Sequence, residues 1–335
     1  MTNYVLLRKA RIAVICGLGL GLAWSTRAAN LTTFDVPGAL HTLAYIINPA
    51  GSIAGEYYTN VETGLHAFLR AADGTITTFD VTGAIETLPR SINTAGVITG
   101  MYLEPNRKRH GFVRSVDGAI TTFDVPGSNA TDAQSINPAG EITGWYADAN
   151  NTSHSFLRAP DGAITTFAGD AGYAINPSGT ITGTYTEYKP NQVLFYCFVR
   201  ARNGVFTTFE APTHGPFGPG SINPSGEITG TYFSESGYTS HGLLRTARGE
   251  FTTFDVPGAN HTRPFGINPK GDIVGVYLSG DNIQRPFLRT ADGTIIVFDV
   301  PGTQVMDFRD INPAGKIVGS YRDASGQTHG FFLIP

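Results

Sequence analysis

One short motif, Ile-Asn-x-x-Gly, recurs seven times in this chain, beginning at Ile47, Ile92, Ile136, Ile175, Ile222, Ile267 and Ile311. Successive copies lie 39 to 47 residues apart. A period of this size predicts a repeat architecture, in which each unit is one small supersecondary element.

Within a unit the residues read as strands. Glu141-Ile-Thr-Gly-Trp-Tyr146 and Ala119-Ile-Thr-Thr-Phe-Asp-Val125 are short, alternate in polarity and are rich in Thr, Ile, Val and aromatic residues. Asn-Pro-x-Gly turns such as Asn137–Gly140 punctuate them, as do Asp-Gly pairs at Asp73-Gly74, Asp117-Gly118, Asp161-Gly162 and Asp292-Gly293. Each unit is therefore expected to hold four antiparallel strands: one ending in Ser-Ile-Asn or its equivalent, then Ile-Thr-Gly-x-Tyr, then His-x-Phe-Leu-Arg, then Ile-Thr-Thr-Phe-Asp-Val. Four strands in about 44 residues match a propeller blade.

The phase of the repeat is informative. Residues 31–36 form a fourth strand with no unit before it, and residues 329–333 form a third strand with no fourth strand after it. Pairing the two would leave no exposed sheet edge, the usual template for aggregation. The expected fold is an all-β, seven-bladed β-propeller spanning residues 30–335 as a single domain, closed by strand 31–36 against strand 329–333. A β-solenoid, the alternative, would give that phase shift no purpose.

The units resemble bacterial HAF-type repeats, named for a His-Ala-Phe triplet found here as His66-Ala67-Phe68. The resemblance runs over about residues 31–335 and includes the Ile-Asn-x-x-Gly and Gly-x-Tyr elements. It implies an extracellular or envelope propeller with no assigned chemistry, and it brings no catalytic residue with it.

Residues 1–29 have the order of a secretory signal peptide. Arg8, Lys9 and Arg11 precede the apolar run from Ile12 to Ala23, and small residues follow, with cleavage expected after Ala28 or Ala29. The protein is then expected in the periplasm or outside the cell, with no transmembrane segment remaining. Losing those three basic residues and Arg27 takes the net charge from −4 to −8. An acidic chain without a basic stripe argues against a nucleic-acid partner. Arg107-Lys108-Arg109, the one basic cluster, reads as a solvated loop tip. Only Cys197 would survive processing, within an apolar strand, so neither a disulfide nor a thiol nucleophile is expected.

Residues that recur in every unit are most simply explained by the shared fold. That reading covers His66, His110, His154, His241 and His329, and also Arg70, Arg114, Arg158, Arg200, Arg245 and Arg289. The departures from the repeat collect in the connections between strands two and three and between units, where a binding face is expected. Candidate ligand-binding residues in the inter-unit connections are His41, Arg90, Asp132, His214, His261, Arg263 and Asp310. A group of His, Arg and Asp around a central opening suits an anion, a sugar or acid–base chemistry. The sequence has no zinc-protease, phosphate-loop, calcium-loop or nucleophile-elbow motif, and no cofactor or metal ligand set is assigned. The expected function is a monomeric, non-enzymatic binding scaffold for a carbohydrate or a cell-envelope protein. The alternative is a hydrolase or lyase using the central histidines and carboxylates.

Overall fold

In the computed structural model, residues 9–16, 29–60, 64–190, 192–210, 217–234, 237–281, 283–299 and 303–335 are described. They contain strands and turns and no helix. The chain divides into two compact units, Met1–Phe79 with Asp255–Pro335, and Asp80–Phe254.

Both units are built from sets of four antiparallel strands. The second unit holds four sets, whose first strands are Glu86–Ile92, Ala130–Ile136, Ala171–Ile175 and Phe217–Ile222. In the set that begins at Ala130, the following strands are Ile142–Ala147, Ser153–Arg158 and Ile164–Phe167, each paired to the one before. The first unit contains the sets beginning with His41–Ile47 and Ala259–Ile267. Its remaining set begins with Thr303–Ile311 and takes its fourth strand from the other end of the chain. Ala29–Phe34 pairs antiparallel with Thr328–Ile334, with Leu31 opposite Leu333 and Phe34 opposite Gly330. The expected pairing of the termini is therefore present. It stops at Phe34 rather than residue 36 because Ala39 N–H bonds the Val36 carbonyl at 3.0 Å and turns the chain.

Most of the segment read as a signal peptide lies outside the described residues. Lys9–Cys16 is a strand, paired with Ala29–Phe34 and with Ile295–Asp299.

The repeat places its apolar residues at fixed points of each set. The second-strand isoleucines Ile53, Ile98, Ile142, Ile181, Ile228, Ile273 and Ile317 are fully buried, as are Phe68, Phe112, Phe156, Phe198, Leu243, Phe287 and Phe331 in the third strands. Each such side chain contributes roughly 2 kcal/mol of burial. The cores bridge neighbouring sets. Ile142 and Phe156 share one cluster with Val97, Val113 and Phe123 of the preceding set.

The recurring polar residues join the same framework. Asn137 Oδ1 accepts the Glu141 N–H at 3.0 Å, shaping its turn, while its Nδ2 donates to the Asn176 carbonyl of the next set at 3.4 Å. Arg158 and Arg200 lie over Phe123 and Phe167 of the preceding sets, 4.9 and 4.7 Å from the ring centroids. The histidines pack beside the tyrosines of Gly-x-Tyr, as with Tyr102–His110 at 5.0 Å and Tyr321–His329 at 5.0 Å. His110 Nδ1 meets Asp124 at 2.8 Å, and His329 Nδ1 meets Asp35 at 3.0 Å. These are fold contacts, as the recurrence in sequence implies.

Candidate functional site

Every first strand carries a β-bulge at the same place. The register with the second strand skips one residue between Ala44 and Ile46, Pro89 and Ser91, Ala133 and Ser135, and Gly172 and Ala174. It does so again between Pro219 and Ser221, Pro264 and Gly266, and Phe308 and Asp310. A bulge leaves its extra residue out of the ladder and re-aims that side chain. The residues so presented are Tyr45, Arg90, Gln134, Tyr173, Gly220, Phe265 and Arg309.

The glycine of Gly-x-Tyr permits this bulge. A Cβ on Gly144 would overlap the Asp132 carbonyl oxygen, and one on Gly319 would overlap the Asp307 carbonyl oxygen. The glycine lets the bulged strand press against its partner. A residue that repeats in every unit thus supports a position that does not repeat.

In the second unit the bulge residues surround a carboxylate. Asp132 is 3 % exposed. Its Oδ1 accepts from Gln134 Nε2 at 2.7 Å, and its Oδ2 lies 3.9 Å from Arg109 Nη1. Burial raises the Asp132 pKa, while the charges of Arg90 and Arg109 and the Gln134 bond act the other way. Trp145 stands directly across the strand pair from Asp132, and the Arg109 guanidinium lies 5.6 Å from its ring centroid. Tyr173 keeps 38 % of its surface exposed. Burial of its hydroxyl raises its pKa, and the charges of Asp170, Cys197 and Asp132 add to that rise.

The first unit repeats part of this arrangement. Arg309 Nε donates to Asp307 Oδ2 at 2.9 Å, and Asp307 Oδ1 accepts the Ser320 N–H at 2.9 Å. The guanidinium lies between two rings, 5.5 Å from Tyr45 and 4.9 Å from Phe265. In both units the bulge residue reaches back to the carboxylate two positions earlier.

The candidates named from sequence lie elsewhere than expected. Six of the seven are in first strands rather than inter-unit connections, because those strands begin earlier than the repeat alone suggested. His214 falls outside the described residues. Arg90 and Asp132 are brought together. His261 and Arg263 line a pocket of ≈ 50 Å³ with Val276, Tyr277, Leu278 and Gln284. The pocket is small and opens to solvent. His41 shares a hydrogen bond with Thr328 Oγ1 at 2.8 Å and stacks on Tyr58 at 4.5 Å. Burial lowers its pKa, and the nearby charges of Arg322 and His329 lower it further.

Asp310 sits beside the Asn-Pro-Ala-Gly turn, at the constant end of its strand. It accepts the N–H groups of Ile47 at 3.0 Å and Ile311 at 2.8 Å, which makes it a joint between sets. Burial pushes its pKa up to about 6 against the pull of those two bonds.

Arg109, read from sequence as part of a solvated tip, instead reaches Asp132 and Trp145 in the next set. Sequence reasoning also missed Tyr45, Gln134, Tyr173, Phe265, Asp307 and Arg309. The signal for the bulge residues is a variable position inside an otherwise constant strand rather than in a loop. Among the described residues no group of three or more His, Cys, Asp or Glu side chains is placed to hold a metal ion. The described residues contain no helix long and apolar enough to cross a membrane.

No protein-family profile and no curated protein matches the chain. Solved structures do match. The β-propeller domain of the Trilobed protease from Pyrococcus furiosus is similar over 88% of this chain and 94% of that one, with a TM-score of 0.59 at 10% identity. The fold is that of β-propeller domains. The acylaminoacyl peptidase of Pyrococcus horikoshii matches with a TM-score of 0.61 at 10% identity, over 89% of this chain and 52% of that one. TolB from Acinetobacter baumannii matches with a TM-score of 0.51 at 14% identity, over 77% and 63%. This chain therefore spans about half to two thirds of the length of those last two proteins. At such identities the likeness concerns the fold alone.

Proposed function

We propose that this protein is a non-enzymatic binding scaffold of the periplasm or cell exterior, a seven-bladed propeller closed by its terminal strands, that holds a glycan or an envelope protein. In this reading residues 1–29 are its signal peptide, the HAF-type resemblance reflects a shared envelope role, and the protein is a monomer. The seven repeats and the pairing of Ala29–Phe34 with Thr328–Ile334 support the closed ring.

One observation carries the functional reading. At the bulge of each first strand the side chain changes from set to set, while the glycine opposite it and the core beneath it stay nearly constant. Tyr45, Phe265 and Arg309 in the first unit, and Arg90, Gln134 and Tyr173 in the second, each have the composition of a recognition surface, where aromatic residues and arginine supply most binding energy.

The test is a screen of the purified protein against immobilised bacterial and plant polysaccharides and purified envelope proteins. A hit should be lost on replacing Tyr45, Phe265 and Arg309, or Arg90, Gln134 and Tyr173, by Ala, with the unfolding midpoint retained. A folded sample that binds nothing sinks the proposal. Turnover of a polysaccharide, lost on replacing His41, His214 and His261, would establish the hydrolase or lyase alternative instead.

A further inference from the structure

The basic cluster at Arg107-Lys108-Arg109 points to the ligand class. Arg107 has φ 66°, a left-handed conformation that disfavours a long side chain by about 1 kcal/mol. The equivalent place in the next set is held by Asn151, at φ 61°, a residue suited to it. The loop thus keeps an arginine where the backbone favours Asn.

Arg109 follows two residues later, its side chain 44% exposed. At 3.9 Å it stands beyond hydrogen-bond length from Asp132, and one side of it rests over Trp145. Arg90 approaches the same carboxylate from the first strand of its own set. The charges of two arginines therefore act on one buried carboxylate, and Arg107 and Lys108 lie with Glu104 in the loop that leads to Arg109.

A ligand suited to this group must satisfy both signs of charge. Its own anion would pair with the terminal nitrogens of Arg109, whose planar fork matches a carboxylate. Its remaining polar atoms must be donors, because Asp132 accepts only and would repel a second anion. Hydroxyl groups meet that need, and Gln134 and the exposed ring of Tyr173 offer the mixed polar and aromatic contacts that a sugar uses. A residue bearing both a carboxylate and hydroxyls is a sugar acid. An acidic peptide supplies the carboxylates without the hydroxyls.

We infer that the surface formed by Arg90, Arg109, Asp132, Gln134, Trp145 and Tyr173 binds uronic-acid residues of an acidic polysaccharide. This rests on the scaffold reading above and narrows it. The surface lies wholly within the unit Asp80–Phe254. Because the chain is acidic overall, attraction is local to this surface and is screened by salt.

The test is titration calorimetry of the full chain with polygalacturonate, fully methyl-esterified polygalacturonate, polyglutamate and monomeric galacturonate. Polygalacturonate should bind, the esterified polymer and polyglutamate should not, and 0.5 M salt should weaken binding about tenfold, in line with screening. Galacturonate alone should bind the same surface more weakly, since one residue lacks the avidity of a polymer. Arg109→Gln should weaken polygalacturonate binding about tenfold, as expected for loss of a charge-assisted bidentate pair. It should leave the unfolding midpoint unchanged. Arg285→Gln, in the other unit and held by Asp281 at 2.8 Å, should not alter binding.

Equal binding of the esterified polymer or of polyglutamate, or an Arg109→Gln variant that binds normally, overturns the inference. Binding of a different glycan or an envelope protein with none of polygalacturonate also overturns it, while leaving the scaffold reading intact. A folded protein that binds none of the four ligands overturns the inference, and one that also binds nothing in the screen of glycans and envelope proteins removes both.

Discussion

Asn312 donates from Nδ2 to the backbone carbonyl of Asn48 at 3.3 Å, across 264 positions of sequence. Asn93 makes the same bond to the Asn137 carbonyl at 3.3 Å, across 44 positions. The contact that joins consecutive sets in mid-chain is thus reproduced between the last set and the first within one unit. Asn312 Oδ1 also accepts the Ala314 and Lys316 N–H groups at 3.1 and 2.9 Å.

Asn312→Ala should therefore remove one bond between sets and two that shape a turn, in a residue 3% exposed. At about 1 kcal/mol per bond the expected loss is roughly 3 kcal/mol, read as a lower denaturant midpoint with an unchanged slope. Asn137→Ala should cost about as much, since the two residues do equivalent work. A much smaller loss at Asn312 would mean that the contact between the chain ends is not tight in solution.

Two glycines should respond unequally to Ala. At Gly144 the new methyl overlaps the Asp132 carbonyl and crowds the Phe156 ring at 2.9 Å. Loss of the bulge is expected, with a cost of about 3 kcal/mol or more and a collapse of binding through Asp132 and Gln134. At Gly127, with φ 78° and nothing within 4 Å, only backbone strain opposes the change. That cost is about 1 kcal/mol. Thermal unfolding of the two variants side by side checks the ranking.

Asp310 should give the protein an acid-side pH dependence of unusual sign. Its folded pKa, about 6, lies above the ordinary 3.8. Between these values the folded state holds the proton more firmly than the unfolded state. Its contribution is complete below about pH 3.8 and is lost as the pH rises toward 6. The full swing is on the order of 3 kcal/mol. In three of the other six sets the same position is serine, and Ser91 and Ser135 accept the Ile136 and Ile175 N–H groups at 3.2 and 3.3 Å. Asp310→Ser should keep the bond and remove the slope, so that wild type and variant diverge between pH 4 and 6. Parallel pH profiles would count against the buried carboxylate.

Cys197 is fully buried, and burial raises its pKa well above the usual thiol value. Cys197 should not react with a thiol reagent in the folded protein at pH 8 and should react after unfolding, as read by peptide mapping. Fast labelling in the native state would show that its strand opens readily.

Much of the architecture was legible before any coordinate. The spacing of Ile-Asn-x-x-Gly, the Asp-Gly pairs and the displaced strand at residues 31–36 specify four-stranded antiparallel sets and the pairing of the chain ends. They do so because strand period, turn chemistry and edge pairing act over a few residues each. The structural roles of the recurring His and Arg residues followed from recurrence itself. The candidate site was only partly legible. Arg90 and Asp132 were named, but as loop residues, and Asp310 was read as a ligand when it is a joint between sets.

The sequence by itself determined the strands, their order within a set and the residues that form each core, since these depend on local alternation and on turns. Tertiary structure alone decided which side chains meet. A bulge is a difference of one residue between two strands, and neither strand reveals it separately. It moves Gln134 and Arg309 out of the ladder toward Asp132 and Asp307. The pairing of Arg109 with Asp132 and Trp145 likewise depends on how one set packs on the next. That packing follows from buried contacts between sets, which no periodicity within a single repeat encodes.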